Sequence, residues 1–215
     1  MRDLSNYIFK NLDSKRFERK FIMTKAQAVL SELELKKIGY FKTFPDREVN
    51  SIYYDDINFK CATDNLDGVS SRDKIRLRYY ENKLKTFYIE TKHKRGFVGY
   101  KSSIKFEINK NFVELIKFGS EWCKKNLLDN YMPSAFVSYK RKYFKKKSIR
   151  LTIDYNVNGY RLINNNIKLL SYKDYSVVEF KYLENFDQIF RKETPIHLFA
   201  LRNTKCSKYT NALIN

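Results

Sequence analysis

Lys74-Ile75-Arg76-Leu77-Arg78-Tyr79 alternates without a slip: Lys74, Arg76 and Arg78 take one parity, and Ile75, Leu77 and Tyr79 take the other. A period of two belongs to a pleated strand, whose successive side chains leave opposite faces. The pattern recurs on both sides of this stretch. Towards the N-terminus, Arg16, Glu18 and Lys20 share one face while Phe17, Phe21 and Met23 share the other. Towards the C-terminus, Tyr88, Glu90 and Lys92 share a face, and Lys101, Ser103, Lys105 and Glu107 stand opposite Ile104, Phe106 and Ile108. Arg150, Thr152 and Asp154 alternate with Leu151 and Ile153; Glu179 and Lys181 flank Phe180, with Val178 on the apolar side. With two less regular segments, Ser51 to Asp55 and Phe136 to Phe144, the set comes to about eight strands.

Helix signals are fewer. Thr24 and Gln27 form a capping box, after which Ala26, Leu30, Leu33 and Lys37 stack on one face and Gly39 supplies a stop. Phe112 to Asn130 reads as one or two short helices around Gly119, with Phe112, Leu115, Ile116, Trp122 and Leu127 as the apolar face. From about Asp187 the tail is helical in composition, with a break near Pro195.

The chain has 215 residues, with 43 Lys+Arg against 24 Asp+Glu and a formal net charge of +19. That length suits a single domain over residues 1–215, large enough to bury a core. Seventeen Tyr and seventeen Phe exclude wholesale disorder, and six Gly with three Pro exclude a collagen-like or linker-rich chain. So large a surplus in an ordered domain points to a polyanion: nucleic acid, an acidic membrane surface, or phosphate. Cys61, Cys123 and Cys206 are odd in number and form no C-x-x-C pair, so neither a disulfide framework nor a zinc site is signalled. Met1 to Tyr7 lack the apolar core of a signal peptide, and no apolar run approaches the ~20 residues of a membrane span. A cytoplasmic protein without a transmembrane segment is the expectation.

An antiparallel sheet with one polar face can simply meet water on that side. Two features favour another arrangement. The polar faces repeatedly combine carboxylate and base, as in Glu18/Lys20, Glu90/Lys92 and Glu179/Lys181. So many strands must also pack a second layer or curl to hide their edges. With helices over the apolar face, the charged face would line a lumen. Two cations about 6 Å apart at an effective dielectric near 20 repel by roughly 3 kcal/mol, so such a lumen needs carboxylates and an anion. A phosphate chain offers oxygens to guanidinium forks on all sides, whereas nucleic acid needs room for its bases and prefers an open stacking face. Glu18 and Glu90 read equally as charge compensators; Glu179 is the candidate ligand for Mg²⁺ or Mn²⁺, ions that take one or two carboxylates plus phosphate oxygens and water. His93 and His197 lack metal-ligand spacing and read as structural.

The ordered motifs resemble a known family. Arg16-x-Glu18-x-Lys20 is followed by Ser51-Ile52-Tyr53-Tyr54-Asp55, Arg76-Leu77-Arg78-Tyr79-Tyr80, Glu90-x-Lys92 and Gly99-Tyr100-Lys101-Ser102. Tyr139-x-Arg141, Arg150-Leu151-Thr152-Ile153-Asp154, Val178-Glu179-Phe180-Lys181 and Lys205-Cys206-Ser207-Lys208-Tyr209 complete the series. It is similar to the VTC-type polyphosphate polymerase domain, a branch of the triphosphate tunnel metalloenzymes that also include the CYTH phosphatases. The resemblance implies an α+β fold: an antiparallel eight-stranded tunnel barrel with helices outside. It also implies transfer of the terminal phosphate of a nucleoside triphosphate, ATP by expectation, to a growing polyphosphate chain. Carried over by motif, Arg76, Arg78, Lys92 and Arg141 are the expected catalytic cations. Lys20, Lys101, Lys205 and Lys208 are expected to bind phosphate, Tyr139 and Ser207 to donate auxiliary hydrogen bonds, and Glu179 to hold the metal. Lys205 and Lys208 would share a face of a C-terminal helix at one mouth.

There are departures from the family pattern. The glycine after the R-x-R-x-Y segment is absent, which leaves the turn to Glu81-Asn82. The first strand carries E-x-K rather than the E-x-E-x-K of the CYTH phosphatases, which favours a polymerase. The 215 residues contain none of the regulatory and membrane segments of larger family members, and the expectation is that any membrane partner is a separate chain. Two alternatives stay open: a metal-dependent triphosphate hydrolase on the same fold, and a non-catalytic polyphosphate or nucleic-acid binding module. On the favoured reading no nucleic acid is bound, and surplus charge such as Lys94-Arg95 and Lys145-Lys146-Lys147 guides the polymer.

Overall fold

The computed structural model describes residues 16–95, 98–126, 128, 130–163, 166–172, 175–194 and 206–214. The elements run β1 (Arg16–Thr24), α1 (Lys25–Lys37), β2 (Phe41–Asp55), α2 (Lys60–Leu66), β3 (Ser71–Tyr80), β4 (Thr86–Arg95), β5 (Val98–Glu107) and α3 (Phe112–Lys125). They continue with β6 (Met132–Lys146), β7 (Ile149–Ile163), β8 (Asn166–Tyr172), β9 (Tyr175–Leu183), a 3-10 turn (Glu184–Phe186), α4 (Asp187–Glu193) and α5 (Lys208–Ile214). All strand pairings are antiparallel, in the order β1-β9-β7-β6-β2-β3-β4-β5, with β8 paired to the distal part of β7. The eight expected strands are therefore present on the path, and β8 adds a ninth among the described residues.

The sheet curls without closing by a hydrogen-bond ladder: β1 and β5 end the path, and the Lys92–Glu18 ion pair at 3.5 Å brings β4 against β1 across the gap. The apolar faces point outward into two helix-covered cores. One packs Phe21, Met23, Leu151, Ile153, Val178 and Phe180 with Leu35 of α1 and Phe190 of α4. The other packs Ile52, Ile75, Leu77, Phe87 and Ile89 under Leu115 and Ile116 of α3. Sequestering the apolar stripes in this way turns the polar parity inward. Among the described residues no helix is long and apolar enough to cross a membrane.

The helix ends follow the sequence chemistry. Thr24 and Gln27 form the capping box of α1 through bonds of 2.9 and 3.2 Å. Gly39, at φ +95°, ends the helix in a Schellman turn, with Gly39 N donating to Lys36 O and Tyr40 N to Leu35 O. The buried face of α1 is not the expected one: Ala28, Ser31 and Leu35 face the strands, while Leu30 and Leu33 stay exposed. Small Ala28 and Ser31 allow the closer approach, and Ser31 Oγ reaches Met23 Sδ at 3.4 Å. Glu81 makes the β3–β4 turn in the left-handed region at φ +53°, where the family's glycine would sit without strain.

α3 is one helix that runs through Gly119, capped by a reciprocal Asn111/Glu114 box. Gly119 is there for packing: a Cβ would lie 2.0 Å from the Tyr54 hydroxyl, which donates to Ile116 O at 3.2 Å. Leu127, expected on this face, lies outside the described residues, as do Pro195 and His197. Alanine at a helical glycine contributes about 1 kcal/mol of helix propensity, but a clash of this depth costs about 1–3 kcal/mol or more. Gly119→Ala is therefore expected to lower the thermal midpoint followed by circular dichroism; a raised midpoint would contradict this contact.

Candidate functional site

The register carries one parity across the whole sheet. Glu18 and Lys20 of β1 stand opposite Lys181 and Glu179 of β9, and these in turn stand opposite Arg150 and Thr152 of β7. Asp154 of β7 faces Arg141 of β6. Tyr139 of β6 faces Val49 of β2, whose Ser51 and Tyr53 face Arg78 and Arg76 of β3. Arg76 faces Glu90, Lys74 faces Lys92, and Lys92 faces Lys101 on β5. Period two thus puts Lys20, Arg76, Arg78, Lys92, Lys101, Arg141, Tyr139 and Glu179 on a single concave face.

Glu18, Glu90 and Asp154 on that face each hold two or three cations. Glu90 accepts from Arg76 Nε at 2.8 Å and Lys101 Nζ at 2.6 Å, with Arg78 Nη1 at 3.6 Å. Asp154, fully buried, takes Arg141 in a bidentate pair at 2.5 and 2.7 Å and Lys208 Nζ at 2.6 Å. Glu18 meets Lys20 at 2.5 Å and both Lys92 and Lys181 at 3.5 Å; Glu179 meets Lys181 at 2.9 Å. The guanidiniums keep N–H groups to spare. Arg141 uses Nε and Nη2 on Asp154, and Arg78 donates to Ser51 Oγ and to the Tyr139 hydroxyl. Donors fixed in this way could receive an anion on their unused N–H groups with little reordering.

The electrostatics follow from the crowding. Burial alone would raise the Glu18 carboxyl, yet Lys20, Lys181 and Lys92 hold it far below its ordinary value. Burial likewise works against Glu90, and Arg76, Arg78 and Lys101 lower it to about 2. Asp154 is depressed by Arg141 and Lys208 against the same burial penalty. Burial, aided by Lys20 and Lys181, pushes Lys92 down despite Glu18. Lys92 nevertheless keeps 52% of its side chain open to water, against 13% for Lys208. The lumen is wet at the Lys92–Lys101 end and closed at the Asp154 end, where α5 packs Tyr209 and Ala212 on Val49, Ala135 and Val137.

α5 is held as a latch. Tyr209 stacks on Tyr53 with centroids 4.7 Å apart and donates to buried Asp55 at 2.5 Å. Asp55 also accepts from the amides of Cys61 and Ala62 at the start of α2. The helix begins at Lys208, with Ser207 Oγ accepting from Thr210 N, so Ser207 and Lys208 span the lumen from Lys74 on β3 to Asp154 on β7. Lys205 lies outside the described residues. Tyr139 and Ser207 act as acceptors, from Arg78 and Lys74, which leaves their own O–H groups to donate. Four lumen residues were missed as site members: Asp154, Lys74, Tyr53 and Lys181. Strand parity already placed Asp154 and Lys74 on the right face, but only the fold shows their partners. His93 pairs with Asp73 at 2.9 Å and stacks on Tyr100.

The donors suit a hard divalent cation. Glu18 and Glu179 flank one small volume on neighbouring strands, filled by the Lys181 ammonium at 3.5 and 2.9 Å. Among the described residues no group of three or more His, Cys, Asp and Glu could hold a metal. The protein would therefore give one or two carboxylate oxygens, and phosphate and water the rest, as Mg²⁺ and Mn²⁺ accept.

Comparison with known families places this geometry. The model of the VTC domain matches residues 15–214. The chain belongs to the VTC domain family. No curated protein matches it in sequence. Among solved structures, this VTC domain is similar to an adenylate cyclase candidate from Bacillus halodurans, with 11% identity, TM-score 0.54 and coverage of 94% of this chain and 98% of the other. A second such candidate, from Vibrio parahaemolyticus, has 13% identity and TM-score 0.52 over 93% and 98%. A protein from Pyrococcus horikoshii has 15% identity and TM-score 0.52 over 93% and 99%. At these identities the likeness concerns the fold, a curled triphosphate-tunnel sheet.

Proposed function

We propose that the chain is a single-domain cytoplasmic polyphosphate polymerase, which transfers the terminal phosphate of a nucleoside triphosphate, ATP by preference, to a polyphosphate chain. The observation that carries this reading is the lumen's composition. Nine cations (Lys20, Lys74, Arg76, Arg78, Lys92, Lys101, Arg141, Lys181 and Lys208) surround four carboxylates (Glu18, Glu90, Asp154 and Glu179), and all four carboxylates are spent on fixing cations. The excess of up to five positive charges is enough to neutralise a triphosphate of roughly three to four negative charges.

Arg76, Arg78, Lys92 and Arg141 would bind the transferring phosphoryl oxygens, with Lys20, Lys101, Lys205 and Lys208 on the flanking phosphates. Tyr139 and Ser207 would donate O–H bonds. The acceptor's terminal oxygen attacks the γ-phosphorus, a new P–O–P bond forms, and the bond to the β-phosphate breaks to release nucleoside diphosphate. The acceptor oxygen is already ionised, so no side chain needs to remove a proton. Catalysis is alignment plus stabilisation of spreading charge. Mn²⁺ or Mg²⁺ would be held by Glu179, with Glu18 beside it, in place of the Lys181 ammonium that lies between them, and would add charge neutralisation at the phosphoryl oxygens.

Incubation with ATP and Mn²⁺ tests the reaction. Long-chain polyphosphate supports the polymerase; orthophosphate or pyrophosphate alone assigns the tunnel to a hydrolase. Glu179→Gln is expected to raise the Mn²⁺ concentration for half-maximal activity by about tenfold or more, as one of few protein ligands is lost. An unchanged metal requirement would remove Glu179 from the site.

A further inference from the structure

Lys74, Lys92 and Lys101 form an unbroken rung of directly opposed lysines across β3, β4 and β5. Like charges directly opposite each other in a sheet are destabilising, so each needs an answer. Lys101 has Glu90 at 2.6 Å, and Lys92 has Glu18 at 3.5 Å. Elsewhere on the face Lys20 has Glu18, Lys181 has Glu179, and Lys208 has Asp154. Lys74 alone among these described lumen lysines meets no carboxylate; its Nζ donates at 2.9 Å to Ser207 Oγ, a neutral oxygen that Thr210 N and Thr210 Oγ1 already occupy.

The fold surrounds this ammonium with further positive charge. Lys92 faces it from β4, Lys20 from β1, and Arg72 lies on its own strand; Cys61 of α2 is a neutral thiol whose own ionisation burial pushes up to about 12. An ordered lysine in such a place is a cation waiting for a mobile anion. We propose that Lys74, with Lys92 and the Ser207 hydroxyl, forms a phosphoryl-binding position on the lysine rung, and that the anion enters this position together with a proton. This rests on the triphosphate reading above and adds to it a residue and a coupling.

The proton follows from the surroundings. Burial first, then Lys92, Lys20 and Arg72, push the Lys74 ammonium down to about 7, so above neutrality the empty lumen holds it largely as a free amine. An entering phosphate reverses the local sign and restores the ammonium. The ligand's own terminal phosphate, losing a proton among cations, would release one instead. Net uptake therefore reports the lysine and not the ligand.

Titration calorimetry with metal-free ATP in EDTA at pH 8, repeated in two buffers of different ionisation enthalpy, reads this directly. Wild type is expected to take up more than about half a proton per ATP. Lys74→Arg, always charged, should bind ATP with no such uptake. Lys74→Met should bind about 10–100-fold more weakly, the worth of one charge-assisted bond, with its thermal midpoint undiminished because Lys74 meets only the neutral Ser207 Oγ and its removal strands no carboxylate. Equal ATP affinity in wild type and Lys74→Met overturns the binding position, and equal uptake in wild type and Lys74→Arg overturns the proton coupling. If metal-free ATP does not bind wild type at all, the triphosphate reading itself fails.

Discussion

Alanine at both Arg76 and Arg78 is expected to weaken triphosphate binding by about a hundred- to ten-thousandfold. Each guanidinium–phosphate hydrogen bond is worth roughly 1.5–3 kcal/mol, and each 1.4 kcal/mol is a factor of about ten. The two side chains sit on alternate positions of β3, pointing into the same lumen, and each has part of its fork fixed. Arg76 is tied to Glu90 and to the Tyr53 hydroxyl, and Arg78 to Ser51 and Tyr139. Their remaining N–H groups are therefore aimed before any ligand arrives, so little ordering entropy opposes binding. Calorimetric titration with metal-free ATP measures the loss. A binding module that uses only the outer surface, for instance Lys145-Lys146-Lys147 or Lys94-Arg95, would keep its affinity in the double variant. Lys146 and Lys147 are in fact tied to Glu193, and Arg95 to Asp73, which leaves less of that outer charge free.

The double variant also carries its own fold check. Removing both arginines leaves Glu90 with only Lys101, and a carboxylate that was held at about 2 rises towards its ordinary range. A modest drop in thermal midpoint accompanies the binding loss. A folded variant with near wild-type affinity would refute the lumen site.

How far the sequence alone reaches is visible in these same residues. Strand parity is local, and it was enough to put Arg76, Arg78, Glu90, Lys92 and Glu179 on polar faces. That the faces meet is a property of curling, which parity does not encode; it follows from the need to bury Phe21, Leu77 and Phe180 under helices on the other side. Partner choice was harder still. Asp154 reads in sequence as one polar residue of an ordinary strand, because its partners Arg141 and Lys208 lie on a neighbouring strand and on the final helix. The face of α1 was misjudged for a related reason. Apolar residues lie on both flanks of that helix, and close approach, through Ala28 and Ser31, outweighed the larger Leu30 and Leu33. β8 escaped notice because it pairs only with the distal part of β7 and adds no residue to the repeating charged motif.

Asp154→Asn is expected to be the most destabilising single change in the lumen, by roughly 3–5 kcal/mol, because it strands two buried cations. Asparagine can still accept one or two hydrogen bonds, so shape is kept while the countercharge to Arg141 and Lys208 is removed. Urea unfolding at pH 7 gives the size of the effect. The pH dependence identifies its cause. Asp154 and Glu90 both have folded values below their unfolded ones, so between the two the unfolded chain binds more protons. Their contribution is complete above about pH 4.5 and is lost as pH falls through the folded values, about 2 for Glu90 and lower for Asp154. Wild type should therefore lose stability steeply on acidification, and Asp154→Asn less steeply, with the two curves converging towards low pH. A packing defect would instead shift the whole curve by a constant. Metal-free ATP supplies the final discrimination. A polyanion that binds the folded state alone stabilises it by mass action, and in the variant it also returns the negative charge that Arg141 and Lys208 have lost. The ligand-induced rise in midpoint should then be larger for Asp154→Asn than for wild type, whereas a phosphate path that avoided this end of the lumen would give the two proteins the same rise.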